Sequence, residues 1–215
     1  MLEINENVLQ LVGKIHAIEE ELVYECEKCR KVIVAVSRKS ETKDLLPMMI
    51  PQKLMYRNEI HVGDNIATDG EIRMLNTTEN GAHNIYVFGY VTDFYIFGDE
   101  DLDVLKPMNL VKLEGYICKM PRHRTTTKTN RFITDLLVAN NRKNRKSYYL
   151  PCICWGMTAK MASKFVPGDK VSIEGRFQSR HYSKLNDEGD IYEYSIQEIS
   201  ATDINVLGDA GEESA

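Results

Sequence analysis

Along residues 167–182, PGDKVSIEGRFQSRHY, apolar and polar side chains alternate. Val171, Ile173, Gly175 and Phe177 fall on one face, and Ser172, Glu174, Arg176 and Gln178 on the other. A period of two predicts a strand, opened by the turn-forming Pro167-Gly168-Asp169. Glycine at 175, among bulky neighbours, predicts a bulge or bend. Past it the strand turns polar, with Arg176, Gln178, Arg180 and Tyr182 at alternate positions. The same patterning predicts strands over Asn109 to Lys119, Asn130 to Ala139, Tyr148 to Trp155 and Ile191 to Val206. Between the third and fourth strands, Ala159, Ala162 and Phe165 recur every three residues, which predicts a short helix near Thr158 to Phe165.

The first half repeats this plan. Asn7 to Ile15 has the length and glycine position of Asn109 to Ile117, and Leu46 to Ile50 parallels Leu150 to Cys154. Gly63-Asp64-Asn65-Ile66 with Gly70 parallels Gly168-Asp169-Lys170-Val171 with Gly175, and Thr92-Asp93-Phe94 parallels Thr202-Asp203-Ile204. The offset drifts in one direction, from 102 to 110, as small loop insertions would produce. The chain therefore reads as an all-β protein of two tandem domains, 1–107 and 108–207, followed by an acidic tail, 208–215, expected to be disordered. Gln52 to Glu59 takes the helix's slot in the first copy. Five short strands with one helix between the third and fourth is the order of an OB-fold, a partly open barrel that binds oligonucleotides and oligosaccharides.

Charge divides the copies. The net charge is -5, but residues 1–107 hold 11 Lys or Arg against 19 Asp or Glu, whereas 108–207 hold 16 against 10. A polyanion partner is thus expected on the second copy alone, and a structural or protein-contacting role for the first. Five cysteines cannot pair completely. With no apolar run of membrane-spanning length and no export-signal pattern at the N-terminus, reduced thiols and a cytoplasmic, nucleoid-associated location are expected. Cys26 and Cys29 have the spacing of half a zinc site, but no second pair completes it, so they are read as two thiols of the first hairpin. No phosphate-cradling glycine loop or nucleophile–base pattern is present, so no enzymatic activity and no cofactor are expected.

The second copy collects cations and rings. Lys119, Arg122, Arg124, Lys128 and Arg131 bracket the first hairpin, Arg142 and Lys143 lie in the next loop, and Tyr149 and Trp155 open and close the third strand. Arg176, Gln178, Arg180, Tyr182 and Lys184 complete the long strand and its hairpin. Cations neutralise phosphates and rings stack on unpaired bases, so the set suits single-stranded nucleic acid. Tyr149 and Tyr182, among polar neighbours, are read as stacking; Trp155 reads as core, stacking platform or both. The rival from another class is a protein-interaction or assembly module that contacts acidic proteins or RNA.

Arg124-Thr125-Thr126, Ala139-Asn140-Asn141-Arg142, Cys154-Trp155-Gly156 with Ala159, and above all residues 171–182, VSIEGRFQSRHY, resemble the bacterial single-stranded DNA-binding protein family. The resemblance covers Asn109 to Leu207. The first half looks like a diverged copy, similar to the duplicated OB proteins of clostridia and related bacteria. The resemblance implies binding and protection of single-stranded DNA in replication, recombination or repair. It also implies base stacking at the positions of Tyr149, Trp155 and Tyr182, and assembly into homo-oligomers. Members of the family end in an acidic tip finishing in Pro-Phe that recruits partner enzymes. Glu212-Glu213-Ser214-Ala215 has acid without that ending, which puts the usual docking of replication or repair proteins in doubt.

Overall fold

The computed structural model describes residues 4–38, 42–56, 59–79, 82–126, 129–143, 146–185 and 191–208. Side chains at 77–79, 82–84, 181–185 and 191–194 are outside that description. In chain order the strands are β1 (Asn7–Tyr24), β2 (Glu27–Ser37), β3 (Lys43–Pro51), β4 (Asn65–Glu79), β5 (Ala82–Phe97), β6 (Met108–Ile117), β7 (Arg122–Thr125), β8 (Phe132–Asn141), β9 (Ser147–Trp155), β10 (Lys170–Leu185) and β11 (Ile191–Val206). A helix, α1 (Met157–Ala162), lies between β9 and β10.

Strand pairing closes on itself twice. β1 pairs β2 and β4, β2 pairs β3, β3 pairs β5 in parallel, and β5 pairs β4. The second circuit repeats this as β6, β8, β9, β11 and β10, with β9–β11 as its parallel contact. Alternation drives the closure: Val111, Leu113 and Ile117 of β6 are buried while Lys112, Glu114 and Tyr116 between them are not. The architecture is all-β, two tandem OB-fold barrels, as the patterning predicts.

The bends fall where the glycines are. Register shifts occur at Asp69/Gly70 and at Glu174/Gly175. A methyl group at Gly175 would run into the Ser200 carbonyl, and one at Gly70 into the Tyr90 carbonyl, so the backbones approach too closely for any side chain. Ahead of each bend, Gly63 (φ 98°) and Gly168 (φ 100°) supply the left-handed turn conformation. Gly63 N–H donates to the Ile15 carbonyl and Gly168 N–H to the Ile117 carbonyl, the same bond in both copies.

The barrels join edge to edge. Asn7–Val12 of β1 pairs antiparallel with Met108–Leu113 of β6, with Leu9 opposite Val111. Leu9 and Val111 are themselves repeat-equivalent, so the register is that of a two-fold axis passing between them. Two side chains obey the same symmetry. Asn7 Nδ2 donates to the Ile72 carbonyl (2.8 Å) while its Oδ1 accepts from the Ile72 amide (2.9 Å). Asn109 makes the same pair of bonds with Phe177 (2.7 and 2.9 Å). One apolar cluster, including Leu9, Val111, Leu113 and Phe177, runs through both barrels.

Three details differ from the patterning. β1 continues past Ile15 to Tyr24, and its counterpart is divided into β6 and the short β7, which pairs with β8. The helix stops at Ala162, although Ala159, Ala162 and Phe165 are all buried as predicted. The first copy's slot holds a 3-10 turn, Gln52–Leu54. The acidic tail's residues 209–215 lie outside the described residues.

Candidate nucleic-acid interface

Beyond the Gly175 bulge, β10 and β11 run in register with Gln178 opposite Glu198. Both are buried, at 3% and 4% exposure. Gln178 Nε2 donates to Glu198 Oε1 (2.8 Å), and Gln178 Oε1 accepts from Arg176 Nη2 (3.1 Å). Arg180 closes the row, donating from Nε and Nη2 to Glu198 at 3.1 and 3.3 Å. Gln178 thus acts as a strut that sets the spacing of Arg176 and Arg180.

These guanidinium groups line a cleft of about 650 Å³ together with Arg131, Trp155 and Thr158 of the second barrel and Arg38, Thr42 and Lys43 of the first. Among the described residues five cations line it and no carboxylate does. Trp155 is half-buried, and the Arg131 guanidinium lies 5.5 Å from its ring. Trp155 is thus partly packed and partly open to the cleft.

Asp44, 1% exposed, holds the first barrel's rim against β10. It accepts from Arg38 Nε (2.7 Å) and Nη2, and from the Ser179 amide (3.0 Å). Ser179 Oγ accepts in turn from the Leu45 amide (3.1 Å). Burial, and after it the Arg38 charge, pushes the Arg176 pKa below its ordinary value. Arg176 makes no ion pair among the described residues, and its Nε has no hydrogen-bond acceptor.

Across the two-fold axis the equivalent junction is filled. Arg142 and Arg38 correspond, since each donates its backbone N–H to a carbonyl four residues on, Lys146 and Thr42. The Arg142 guanidinium lies 4.3 Å from the Tyr148 ring and pairs with Glu25 at 2.9 Å. Burial works against its charge, but Glu25 outweighs that and holds its pKa above the ordinary value. Arg73 reaches the same Glu25 (3.5 Å) and covers the Tyr90 ring at 3.6 Å, while the buried Tyr24 and Tyr148 hydroxyls bond across the barrels (3.0 Å).

The other expected site residues are spread. Tyr149 is 46% exposed beside Met74, whose sulfur its amide contacts at 3.3 Å. It shares a face of β9 with Trp155 six residues away, ~20 Å at the strand rise. Lys143 is exposed near Arg142, and Lys119 and Arg122 are exposed around β7. Arg124 is paired with Asp135 through two 3.1 Å bonds. Lys128 lies outside the described residues, as do the side chains of Tyr182 and Lys184. Cys26 is exposed at the β1–β2 turn and Cys29 is buried; among the described residues no three His, Cys, Asp or Glu are grouped to hold a metal. No helix among the described residues is long and apolar enough to cross a membrane.

Arg38 and Lys43 are the cleft residues that charge counting by halves passed over. The repeat itself carried the signal for the first: the offset of 104 that aligns Leu46 with Leu150 aligns Arg38 with Arg142.

Two closed five-strand circuits, joined by their first strands and sharing a cationic cleft with a tryptophan in its wall, define a tandem OB-fold protein. Residues 108–207 match the model of the Single-strand binding protein family. That match spans the second barrel. Among solved structures it is similar to the wild-type single-stranded DNA binding protein from Thermus aquaticus, with TM-score 0.75 and 15% identity over 99% of this chain and 98% of that one. A deletion mutant of the same Thermus aquaticus protein matches with TM-score 0.73 and 16% identity over 98% and 99%. These likenesses are of fold, and they extend over both barrels. None of the curated proteins matches the chain.

Proposed function

We propose that the chain is a non-catalytic protein that coats and protects single-stranded DNA in replication, recombination or repair, mainly through its second barrel. Residues 1–107 and 108–207 are its two domains, and it acts as a homo-oligomer in the cytoplasm. The observation that supports this most is the cleft, whose lining among the described residues holds five cations, three of them and a half-buried tryptophan on the barrel that matches the family, and no carboxylate. Unpaired bases can stack on the ring while their phosphates meet the guanidinium groups, whereas a duplex hides its base faces.

The test is a titration of fluorescent oligo-dT and of a duplex across salt concentrations. Lys43, Arg131 and Arg176 line the cleft without an ion pair among the described residues. Three phosphate contacts on a single strand give a log–log salt slope of about -2, and further contacts steepen it. Tighter binding of the single strand with at least that slope is expected. Equal affinity for duplex, or an affinity flat with salt, refutes the proposal.

A further inference from the structure

We propose that the cleft is a phosphodiester-binding bridge between the barrels, in which Lys43 and Arg38 of the first barrel and Arg176 of the second hold the same stretch of backbone. The bound strand therefore crosses from the second barrel onto the first at this point. This rests on the single-strand-binding reading above and adds the first barrel to it.

Three observations converge. The first is composition: cations from both barrels face one opening whose lining among the described residues has no carboxylate, with Asp44 paired to Arg38 and Glu198 to Arg180. The second is the unmet demand at Arg176. It is a partly buried guanidinium with no ion pair among the described residues, it feels the charge of Arg38 more than that of Asp44, and its Nε has no acceptor there. Asp44 offsets the charge of Arg38, but Arg176 keeps a partly buried charge with no ion pair among the described residues, an electrostatic cost that an anion reduces.

The third is the comparison across the two-fold axis. There the equivalent of Arg38 is Arg142, and the equivalent of Gln178 is Arg73 at an offset of 105. Between Arg142 and Arg73 sits an anion supplied by the chain itself, the Glu25 carboxylate, at 2.9 and 3.5 Å. The filled junction thus shows what the geometry accepts. At the open junction Asp44 and Glu198 answer only Arg38 and Arg180 of the five lining cations, which leaves Lys43, Arg131 and Arg176 without an ion pair among the described residues, so their anion comes from outside, from the phosphate backbone.

Lys43 is the cleanest probe. It is exposed and makes no ion pair among the described residues, whereas removing Arg38 would strand the buried Asp44. Oligo-dT binding by the full chain is measured across salt for the native protein, for Lys43→Gln, and for Lys28→Gln, an equal charge change at an exposed residue of β2 outside the cleft. The expected result is a salt slope lowered by roughly 0.7 for Lys43→Gln, the share of one phosphate contact, and an unchanged slope for Lys28→Gln. A native slope retained in Lys43→Gln overturns the bridge while leaving single-strand binding intact. An equal reduction in both variants overturns it too, since the effect is then one of net charge. Failure of the native chain to bind oligo-dT is the separate outcome that removes the underlying reading.

Discussion

Trp155 is the chain's one tryptophan, so its ring can be both perturbed and watched. Replacing it by alanine removes the stacking surface in the cleft wall and leaves all five cations in place. Base–aromatic stacking contributes ~1 to 3 kcal/mol per base. At about 1.4 kcal/mol per factor of ten, Trp155→Ala should raise Kd for oligo-dT roughly 5- to 140-fold. Its salt slope should stay native, because no charge is lost. Trp155→Phe should recover most of the affinity. In the native protein, adding oligo-dT should quench the intrinsic fluorescence in step with binding read from a labelled strand. Urea denaturation checks that the alanine variant still folds; the ring is only half-buried, outside the fully buried set that includes Phe177 and Phe88. Two results refute the reasoning: a strand that binds with no change in tryptophan fluorescence, or a folded Trp155→Ala chain of native affinity.

Asp44→Ala leaves the Arg38 guanidinium and the Ser179 amide without their buried acceptor. A loss of about 3 to 5 kcal/mol in denaturant stability is expected, and a loss under about 1 kcal/mol would show that water replaces the carboxylate. Glu25 accepts from Arg142 and, although burial opposes its charge, Arg142 and Arg73 hold its pKa below the ordinary value. Its stabilising contribution is present above the unfolded carboxylate pKa of about 4.3 and is lost as pH falls through the lower folded value. The native chain should therefore lose more stability than Glu25→Gln between pH 7 and pH 3, measured as denaturation midpoints, and parallel losses would refute this role for the carboxylate.

What was legible in the sequence was local. The two-residue period of 171–178, the obligatory glycines at 70 and 175 and the turn glycines at 63 and 168 all act within one strand or one turn, so spacing alone reveals them. Gln178 was legible as polar and misleading about its setting. Its alternation with Arg176 and Arg180 places it correctly on one face, but its burial depends on Glu198, twenty residues away on β11. Arg142 carries the same lesson, since its carboxylate partner is 117 positions distant. The cleft was out of reach of any pattern reading by halves. It exists because β1 lies against β6 in one particular register, which brings Arg38, Thr42 and Lys43 beside β10, and no periodicity encodes which edges meet.

The Leu9–Val111 register also bears on how such a chain can change. In a dimer of identical subunits every substitution appears twice, so a carboxylate that seals one junction would seal its mate. Covalent linkage of the copies lifts that constraint. Glu25 could arise in one copy alone, closing one opening with a permanent internal anion while the other kept its appetite for an external one. A two-fold symmetric ancestor would offer a strand two equivalent crossings and no preferred polarity. The linked form offers one crossing, and with it a direction along the protein.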